Sequence, residues 1–321
     1  MNFIYAVITG FILDLIFGDP QYRFHPIRII GKLIEITEKY TRKIFCDNKN
    51  GQIWAGMFTV VIVSGLTFLI TFYIVHYSYK INKYLGFTVE SILCYLSLAT
   101  KSLKTESMKV YYPLEKGDIE MARFAVSMIV GRDTENLTDK EIAKAAVETV
   151  AENTSDGVIA PLFYLCIGGA PLGFLYKAFN TMDSMIAYKN DKYINFGRVA
   201  AICDDIVNFI PSRLSALLMI IASFVVGLDS KNAFKIFKRD RFNHDSPNSA
   251  QTESVCAGAL NVILAGDAIY KGVLHKKKTI GDNNRDIEYK DIKTVNKLMY
   301  ATSVIGLIIF SSINIIISFI F

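Results

Sequence analysis

The stretch IWAGMFTVVIVSGLTFLITFYIVHYSY, residues 53–79, contains no Asp, Glu, Lys or Arg. A helix that crosses the apolar core of a bilayer needs about 20 mostly apolar residues. Residues 298–321 form a second uncharged segment of sufficient length. The two segments predict a protein that is embedded in a membrane.

Four further apolar segments extend this prediction. Residues 157–176 are uncharged, but the Gly-Gly-Ala-Pro sequence at 168–171 predicts a break, since proline and glycine interrupt helices. Residues 214–228 and 1–17 are short for a span. Residues 84–100, apolar except for Glu90, are either an extra crossing or an interfacial helix. We predict four or five transmembrane helices.

The polar parts of the chain are predicted to be helices and loops on the cytoplasmic side. The loop 18–50 is rich in Lys and Arg, which favours the cytoplasm. Residues 101–156 are predicted to be a soluble helical insertion. It has an N-cap at Asp118, a C-terminal Gly131, and a capping box that begins at Thr138. A hydrophilic loop is expected at about 271–297. The predicted fold is all-α, one membrane-embedded domain over residues 1–321, multi-pass in the cell membrane.

Composition excludes several classes of function. Hydrophobic residues make up 52% of the chain, and the net charge of +5 is too small to indicate nucleic-acid binding. The five cysteines lie far apart with no Cys-x-x-Cys pair, which argues against a disulfide framework or a zinc site. The lysine run at 276–278 is most simply a solvated loop.

Two polar clusters in the first half of the chain border apolar segments, where ionisable groups need a partner. Asp14 and Asp19 flank a turn ahead of His25, and could bind a metal or be an ordinary turn with a structural histidine. The segment 148–157 places Glu148 and Glu152 on one helix face. With Asn153 and Asp156 it is either an oxygen-rich Mg²⁺ site or a polar helix end capped by 153–157.

Two more clusters follow in the second half. Paired acids together with cations suit a Mg²⁺-nucleotide, and a transporter could use the same groups as an ion path. No Ser/His/Asp arrangement or Walker loop is present. The third cluster comprises Asn180, Asp183, Lys189, Asp204, Asp205 and Arg213. The fourth comprises Arg239, His244, Ser246, Asn248 and Glu253.

Taken in order, these clusters resemble the adenosylcobinamide-phosphate synthase family, also called CobD/CbiB. The resemblance covers nearly the whole chain, although each short motif is weak by itself. It departs from the family pattern at Ala250 and Thr252, where Gly and Pro are expected. The similar stretches are LDLIFGDPQYRFHPIRIIGKLI (13–34), GDIEMARFAVSMIVGRDT (117–134), AAVETVAENTSDGVIAPLFY (145–164), the segment 176–218 and HDSPNSAQTESVCAGAL (244–260).

The resemblance implies an amide ligase that joins aminopropanol, or its O-phosphate, to the free propionate of adenosylcobyric acid. It also implies ATP and Mg²⁺, contact with membrane lipid, and association with other cobalamin-assembly enzymes. Metal and phosphate binding is expected at Glu152, Asp156, Asp204 and Asp205, with Asp14 and Asp19 as further metal candidates. Lys189, Arg213 and Arg239 would be charge partners, and His25 or His244 the base. Substrate contacts are expected at Asn153, Asn180, Asp183, Ser246, Asn248 and Glu253.

Three other functions compete with the ligase. A secondary transporter would use Asp14, Glu90 and Asp183 as intramembrane acids and the break at 168–171 as an unwound binding helix. A membrane phosphotransferase would hold a Mg²⁺-diphosphate with Asp204 and its neighbours. A scaffold without activity is disfavoured, because polar clusters at span boundaries are costly without a use.

Overall fold

A computed structural model describes residues 3–20, 22, 24–270 and 272–320, and within them the chain is an all-α, polytopic membrane protein. The α-helices are α1 (Ile4–Phe17), α2 (Pro26–Ile44), α3 (Lys49–Ile81), α4 (Lys83–Ser97), α5 (Thr100–Glu115), α6 (Ile119–Ser127), α7 (Asp139–Asn153), α8 (Ala160–Ile186), α9 (Arg198–Val225), α10 (Ser230–Asp240), α11 (Ser249–Leu260) and α12 (Lys290–Ile320). A π-helix, Thr154–Ile159, joins α7 to α8.

Four helical runs of the described chain are long and apolar enough to cross a membrane. They are α3, the continuous run Asp139–Ile186, α9 and α12. The all-α, multi-pass prediction is therefore confirmed. α1 is apolar but has only 14 residues. The cytoplasmic placement of the polar helices and the location in the cell membrane stay predictions.

The predicted hydrophilic loop at 271–297 differs from the structure at both ends. α12 begins at Lys290, so its first turns are polar and the apolar part follows. Among the described residues four short strands precede it, and strands of two or three residues are too short to show an alternating pattern in the sequence. β1 (Leu264–Ala265) pairs with β4 (Thr279–Ile280), and β2 (Ala268–Tyr270) pairs with β3 (Val273–His275), both antiparallel.

Helix starts follow the capping chemistry of the sequence. Thr138 and Glu141 form the predicted capping box at the start of α7. Asp118 accepts a hydrogen bond from the Met121 N–H at 3.0 Å, as predicted for the N-cap of α6. The predicted C-terminal glycine is wrong, because α6 ends at Ser127, well before Gly131. The alternative of a helix end capped by residues 153–157 is also wrong, since the π-helix continues the chain into α8.

The chain folds into two compact units, each built from several segments. The first unit comprises Met1–Ala99, Ala160–Asn208 and Ile309–Phe321, and the second comprises Thr100–Ile159 and Phe209–Ile308. In the first unit α1 packs on α4, and α3 packs on α2, α4 and α8. In the second unit α10 packs on α11, and α5 packs on α6 and α7. The assignment of one domain to residues 1–321 stays a prediction.

The predicted break in α8 occurs at Gly168 and Gly169, and Gly169 has a left-handed φ of 64°. A broken helix leaves backbone N–H groups without partners. Glu90 meets this need, because its buried carboxylate accepts a hydrogen bond from the backbone N–H of Ala170. The Tyr79 hydroxyl donates to the same carboxylate at 2.8 Å. A Cβ on Gly169 would lie 2.3 Å from Glu90 Oε1, so only glycine permits this approach.

We therefore predict that Gly169→Ala lowers the unfolding free energy of the detergent-solubilised protein by about 2 kcal/mol, through strain at φ and displacement of Glu90. The matched control is Gly65→Ala, because a Cβ there meets no atom within 4 Å. The control should melt at the wild-type temperature or slightly above it. Thermal melts check both variants, and an unchanged melting temperature for Gly169→Ala would contradict the assignment.

Candidate functional site

In the second unit, one face of α7 carries Lys144, Glu148 and Glu152 at intervals of one helical turn. Glu148 is buried and accepts hydrogen bonds from two groups. Its Oε1 accepts from the backbone N–H of Ala265 at 2.6 Å, and its Oε2 accepts from Arg132. Lys144 donates to the carbonyl oxygen of the same Ala265. Two side chains of α7 therefore hold both sides of one residue in β1.

This grip, which we call the α7 clamp, consists of Lys144 and Glu148 acting on Ala265. It fixes a backbone conformation that is unfavourable for alanine, because Ala265 has a left-handed φ of 55°. A further contact ties the strands to the turn before α7, where the Asp133 N–H donates to the Ile269 carbonyl at 2.9 Å. The described parts of the segment 264–280, which are 264–270 and 272–280, are thereby fixed on the second unit.

The α7 clamp holds the segment that contains Lys277. The sequence predicts this lysine to be part of a solvated loop. Lys276 and Lys278 are exposed, whereas Lys277 is half-buried. Its Nζ donates to the Tyr270 hydroxyl at 3.1 Å, and its charge acts on Glu253. The sequence interpretation holds for the two outer lysines and is wrong for the central one.

Glu253, on α11, lies buried at the centre of this group. Burial raises the pKa of its carboxyl well above the usual range, and the neighbouring Glu152 and Glu148 raise it further. The positive charges of Lys277 and Arg132 oppose that rise. The proton affinity of Glu253 is therefore raised chiefly by burial and adjusted by the surrounding charges.

Two neighbours complete the group. Ser249 donates its hydroxyl hydrogen to Glu152 Oε1 at 2.8 Å. His244 accepts the Ser246 N–H at its Nδ1, at 3.0 Å, so the neutral ring carries its hydrogen on Nε2. Burial lowers the pKa of His244, which favours that neutral ring near pH 7. His244 is thus arranged as a hydrogen-bond donor. We name Glu152, Glu253, His244, Ser249 and Lys277 the carboxylate cluster.

Two predicted cations of the second unit have different surroundings. Arg213 donates through Nη1 to Asn248 Oδ1 at 3.1 Å, and this oxygen also accepts from Ser212 Oγ at 3.1 Å. Arg239 binds Asp240 and Asp282, with one nitrogen–oxygen distance of 2.7 Å to each. Its charge is therefore already balanced by two carboxylates.

The remaining predicted residues of the second unit have local contacts. Asn153 donates its amide to the Thr149 carbonyl at 2.9 Å, one turn back on α7. Ser246 Oγ accepts the Asn248 N–H at 3.3 Å. Asp156 lies in the π-helix, a type of helix that is often found at functional sites.

In the first unit, His25 has a local structural role. It is the N-cap of α2, where its Nδ1 accepts the Ile27 N–H at 3.3 Å. Its Nε2 lies 2.7 Å from Asp19 Oδ1. Asp14 is buried near the end of α1, and the Tyr95 hydroxyl donates to the Gly18 carbonyl at 2.5 Å. Asp19 and His25 are therefore in contact, and both ring nitrogens already face partners.

The third predicted cluster also converges in the first unit. Asn208 Nδ2 donates to Asp204 Oδ2 at 3.0 Å, and Asn180 donates to Asp204 as well. The negative charges of Asp183 and Asp205 act on the same carboxylate. Tyr176 orients Asn208 by donating to its Oδ1 at 3.0 Å. Lys189 follows the end of α8.

The donor set around Asp204 was tested against the predicted Mg²⁺. Among the described residues, no group of three or more His, Cys, Asp or Glu side chains is arranged to hold a metal ion. Mg²⁺, however, usually takes one or two protein carboxylates and completes its shell with water and phosphate oxygens. Asp183, Asp204 and Asp205 concentrate negative charge in a way that such an ion would relieve. The donor set fits Mg²⁺, and its binding stays a prediction.

Comparison with known proteins assigns the family. The family described as CobD/Cbib protein matches residues 7–299. A protein of Clostridium perfringens (strain 13 / Type A), named cobalamin biosynthesis protein CobD, is 52% identical over 94% of this chain and 95% of its own length. Cobalamin biosynthesis protein CbiB of Salmonella choleraesuis (strain SC-B67) is 42% identical over 96% of both chains. The chain belongs to the CobD/CbiB family.

No solved structure matches this CobD/CbiB chain. The groups that sequence reasoning missed are Arg132, Lys144 and Lys277. A signal existed for Lys144, which lies one turn before Glu148 on the face that already carried two acids. No local pattern indicated Arg132 or Lys277, because their partners are distant in the sequence.

The α7 clamp can be tested by limited trypsin digestion at Lys276–Lys278. Lys144→Met and Glu148→Gln should each speed cleavage there about tenfold, which corresponds to the loss of about 1.4 kcal/mol of local stability. The matched control is Lys140→Met, one turn earlier on α7, whose lysine pairs with the exposed Asp286. Mass spectrometry of the fragments gives the rates. Wild-type cleavage in both clamp variants would contradict the clamp.

Proposed function

We propose that this CobD/CbiB chain acts in cobalamin biosynthesis, as the names of its relatives state for those proteins. We further propose that it catalyses the ATP-dependent joining of aminopropanol, or its O-phosphate, to the free propionate of adenosylcobyric acid. The observation that carries the second step is the carboxylate cluster, where the buried Glu253, of raised pKa, and the neutral His244 each interact with the charges of Glu152 and Lys277.

Amide formation from a carboxylate and an amine requires activation of the carboxylate and deprotonation of the amine. The carboxylate oxygen is a poor leaving group, and transfer of the γ-phosphoryl group of ATP, which leaves ADP, would convert it to an acyl phosphate. Attack of the amine would then form the amide bond and release inorganic phosphate. The attacking amine is an ammonium ion at neutral pH and must lose a proton. A carboxyl whose pKa lies above its usual range is a more effective proton acceptor near pH 7 than an ordinary glutamate.

Two residues of the carboxylate cluster would have separate roles. Glu253 would take the proton from the ammonium. His244 would donate a hydrogen bond through Nε2–H to the oxygen on which negative charge develops, because its Nδ1 already accepts a hydrogen bond. Lys277 would tune the pKa of Glu253. The earlier choice of His25 or His244 as base gives way to Glu253 in this proposal.

A metal role is proposed in the first unit. Asp204 and Asp205 would hold Mg²⁺, which when bound neutralises phosphate charge. Asp183 stays a candidate for substrate contact. Asp14, Asp19, Glu152 and Asp156 stay metal candidates, and Lys189 stays a charge partner. The location in the cell membrane and contact with lipid belong to the same proposal.

The transporter loses one of its supports. Its intramembrane acid Glu90 caps the broken helix α8 and accepts from Tyr79, so this carboxylate has a structural use. The break at 168–171 is likewise stabilised by that contact. The ligase is therefore the function we propose, without a second candidate.

The ligase is tested by incubating purified, detergent-solubilised protein with adenosylcobyric acid, ATP and Mg²⁺. Aminopropanol and its O-phosphate are added in separate reactions, and the molecular mass of the corrinoid product is measured by mass spectrometry. We expect a corrinoid heavier by one amine minus one water, formed only when ATP is present. A folded sample that forms no product with either amine would contradict the proposal.

Asp204 provides the variant for the metal role. Asp204→Ala should reduce ATP-dependent turnover by at least a hundredfold, because a buried metal ligand is lost, while the protein stays inserted and folded. Glu120→Ala is the control, since Glu120 forms only an exposed pair with Arg123. Normal turnover in Asp204→Ala across a range of Mg²⁺ concentrations would remove the metal assignment.

A further inference from the structure

We propose that Arg213 and Arg241, in the second unit, form a binding subsite for a phosphate group. Both residues lie at the start of α11, because Arg213 donates to Asn248 Oδ1 at 3.1 Å and the Arg241 carbonyl accepts from Gln251 Nε2 at 3.2 Å. The charge of Arg241 acts on Arg213. Like charges repel, and the repulsion is stronger where water is partly excluded. Two adjacent arginines therefore favour the binding of an anion between them.

The guanidinium of Arg213 is held in place by neutral groups. Its Nη1 donates to the Phe209 carbonyl at 2.7 Å and to Asn248 Oδ1 at 3.1 Å. The guanidinium carbon also lies 3.6 Å from the centroid of the Phe209 ring. These contacts fix the orientation of the group without cancelling its charge.

The guanidinium of Arg241 has even fewer partners. Within the described part of the chain it forms no salt bridge and no hydrogen bond, and its Nε is buried. It lies between two aromatic rings, 5.1 Å from the centroid of Phe237 and 4.7 Å from that of Phe242. A half-buried guanidinium that donates to nothing in the protein is positioned to donate to a ligand.

The adjacent backbone adds to the preference for an anion. α11 begins directly after Asn248, whose side chain makes no capping hydrogen bond to the helix. The first turn of a helix carries partial positive charge and N–H groups without intrahelical partners. Asn248 also contacts Arg213, so this helix start lies beside one of the two arginines.

Arg239 provides the contrast that locates the subsite. It lies two residues before Arg241, but it is neutralised by Asp240 and Asp282. The sequence predicted Arg239 as the phosphate contact. Arg239 and Arg241 both flank Asp240, so the sequence by itself does not distinguish them. The geometry instead points to Arg241 as the arginine available for a ligand.

The ligand class follows from the donors. Guanidinium groups match the paired oxygens of phosphate and bind them through two parallel hydrogen bonds. The same chemistry belongs to a nucleotide and to a phosphate ester of the amine. The identification of the phosphate with either reactant rests on the proposed function, whereas the affinity for phosphate does not.

The test is the binding of inorganic phosphate, pyrophosphate and ATP to the detergent-solubilised protein, measured by calorimetry at constant ionic strength without corrinoid. Arg213→Gln and Arg241→Gln should each weaken pyrophosphate binding at least tenfold, which is about 1.4 kcal/mol. Arg241→Lys, which keeps the charge but loses the paired donors, should fall between wild type and Arg241→Gln. Arg239→Gln is the matched control and should bind as wild type does.

Size-exclusion chromatography shows that each variant is folded before it is measured. The proposal is overturned if wild type binds none of the three probes, or if Arg239→Gln loses affinity as much as Arg241→Gln does. Stronger loss for ATP than for pyrophosphate would assign the site to the nucleotide, and equal loss would assign it to the shared phosphate chemistry. If the Arg213→Gln and Arg241→Gln variants lose pyrophosphate affinity but the wild-type protein forms no amide, the subsite is upheld and the ligase is rejected. If the variants keep wild-type affinity and the wild-type protein forms the amide, the ligase is upheld and the subsite is rejected.

Discussion

The buried carboxylate of Glu148 is the constraint on which the second unit depends. It accepts from the backbone of Ala265 and from Arg132, so it joins α7, the turn before α7 and the β1 strand at one point. A buried carboxylate is costly unless it is paired and hydrogen-bonded, and this one has both kinds of partner. Removing Arg132 would leave the buried charge of Glu148 uncompensated. The position of the segment 264–280 follows from this balance.

That position accounts for the chemistry of the carboxylate cluster. Burial raises the pKa of Glu253, and the negative charges of Glu152 and Glu148 raise it further. The positive charges of Lys277 and Arg132 oppose this rise in pKa. Lys277 lies in the segment that the α7 clamp holds. Glu253 is buried, so these charges act strongly on its pKa. The fold thereby tunes one carboxyl for proton transfer.

The all-α membrane fold could be predicted because a long uncharged run such as 53–79 indicates a membrane-spanning helix by its length and composition alone. The break at Gly168 and Gly169 and the capping box at Thr138 were also predictable, since each follows from local backbone chemistry. The strands between Leu264 and Ile280 were not, because runs of two or three residues depend on distant contacts with α7. For the same reason, the sequence could place Glu152 and Glu253 among the candidates but could not distinguish Lys277 from its neighbours or Arg241 from Arg239.

The most direct test of the account is the rate of amide formation against pH for wild type, Lys277→Gln and the matched control Lys276→Gln. The reaction needs the deprotonated form of Glu253, so the rate should rise as pH passes through the pKa of that carboxyl. Lys277 lowers this pKa, so its removal should raise the pKa and move the acid side of the profile to higher pH. Lys276 is exposed, and its removal should leave the profile in place. An acid limb at the same pH in all three proteins would contradict the assignment of Glu253 as the proton acceptor.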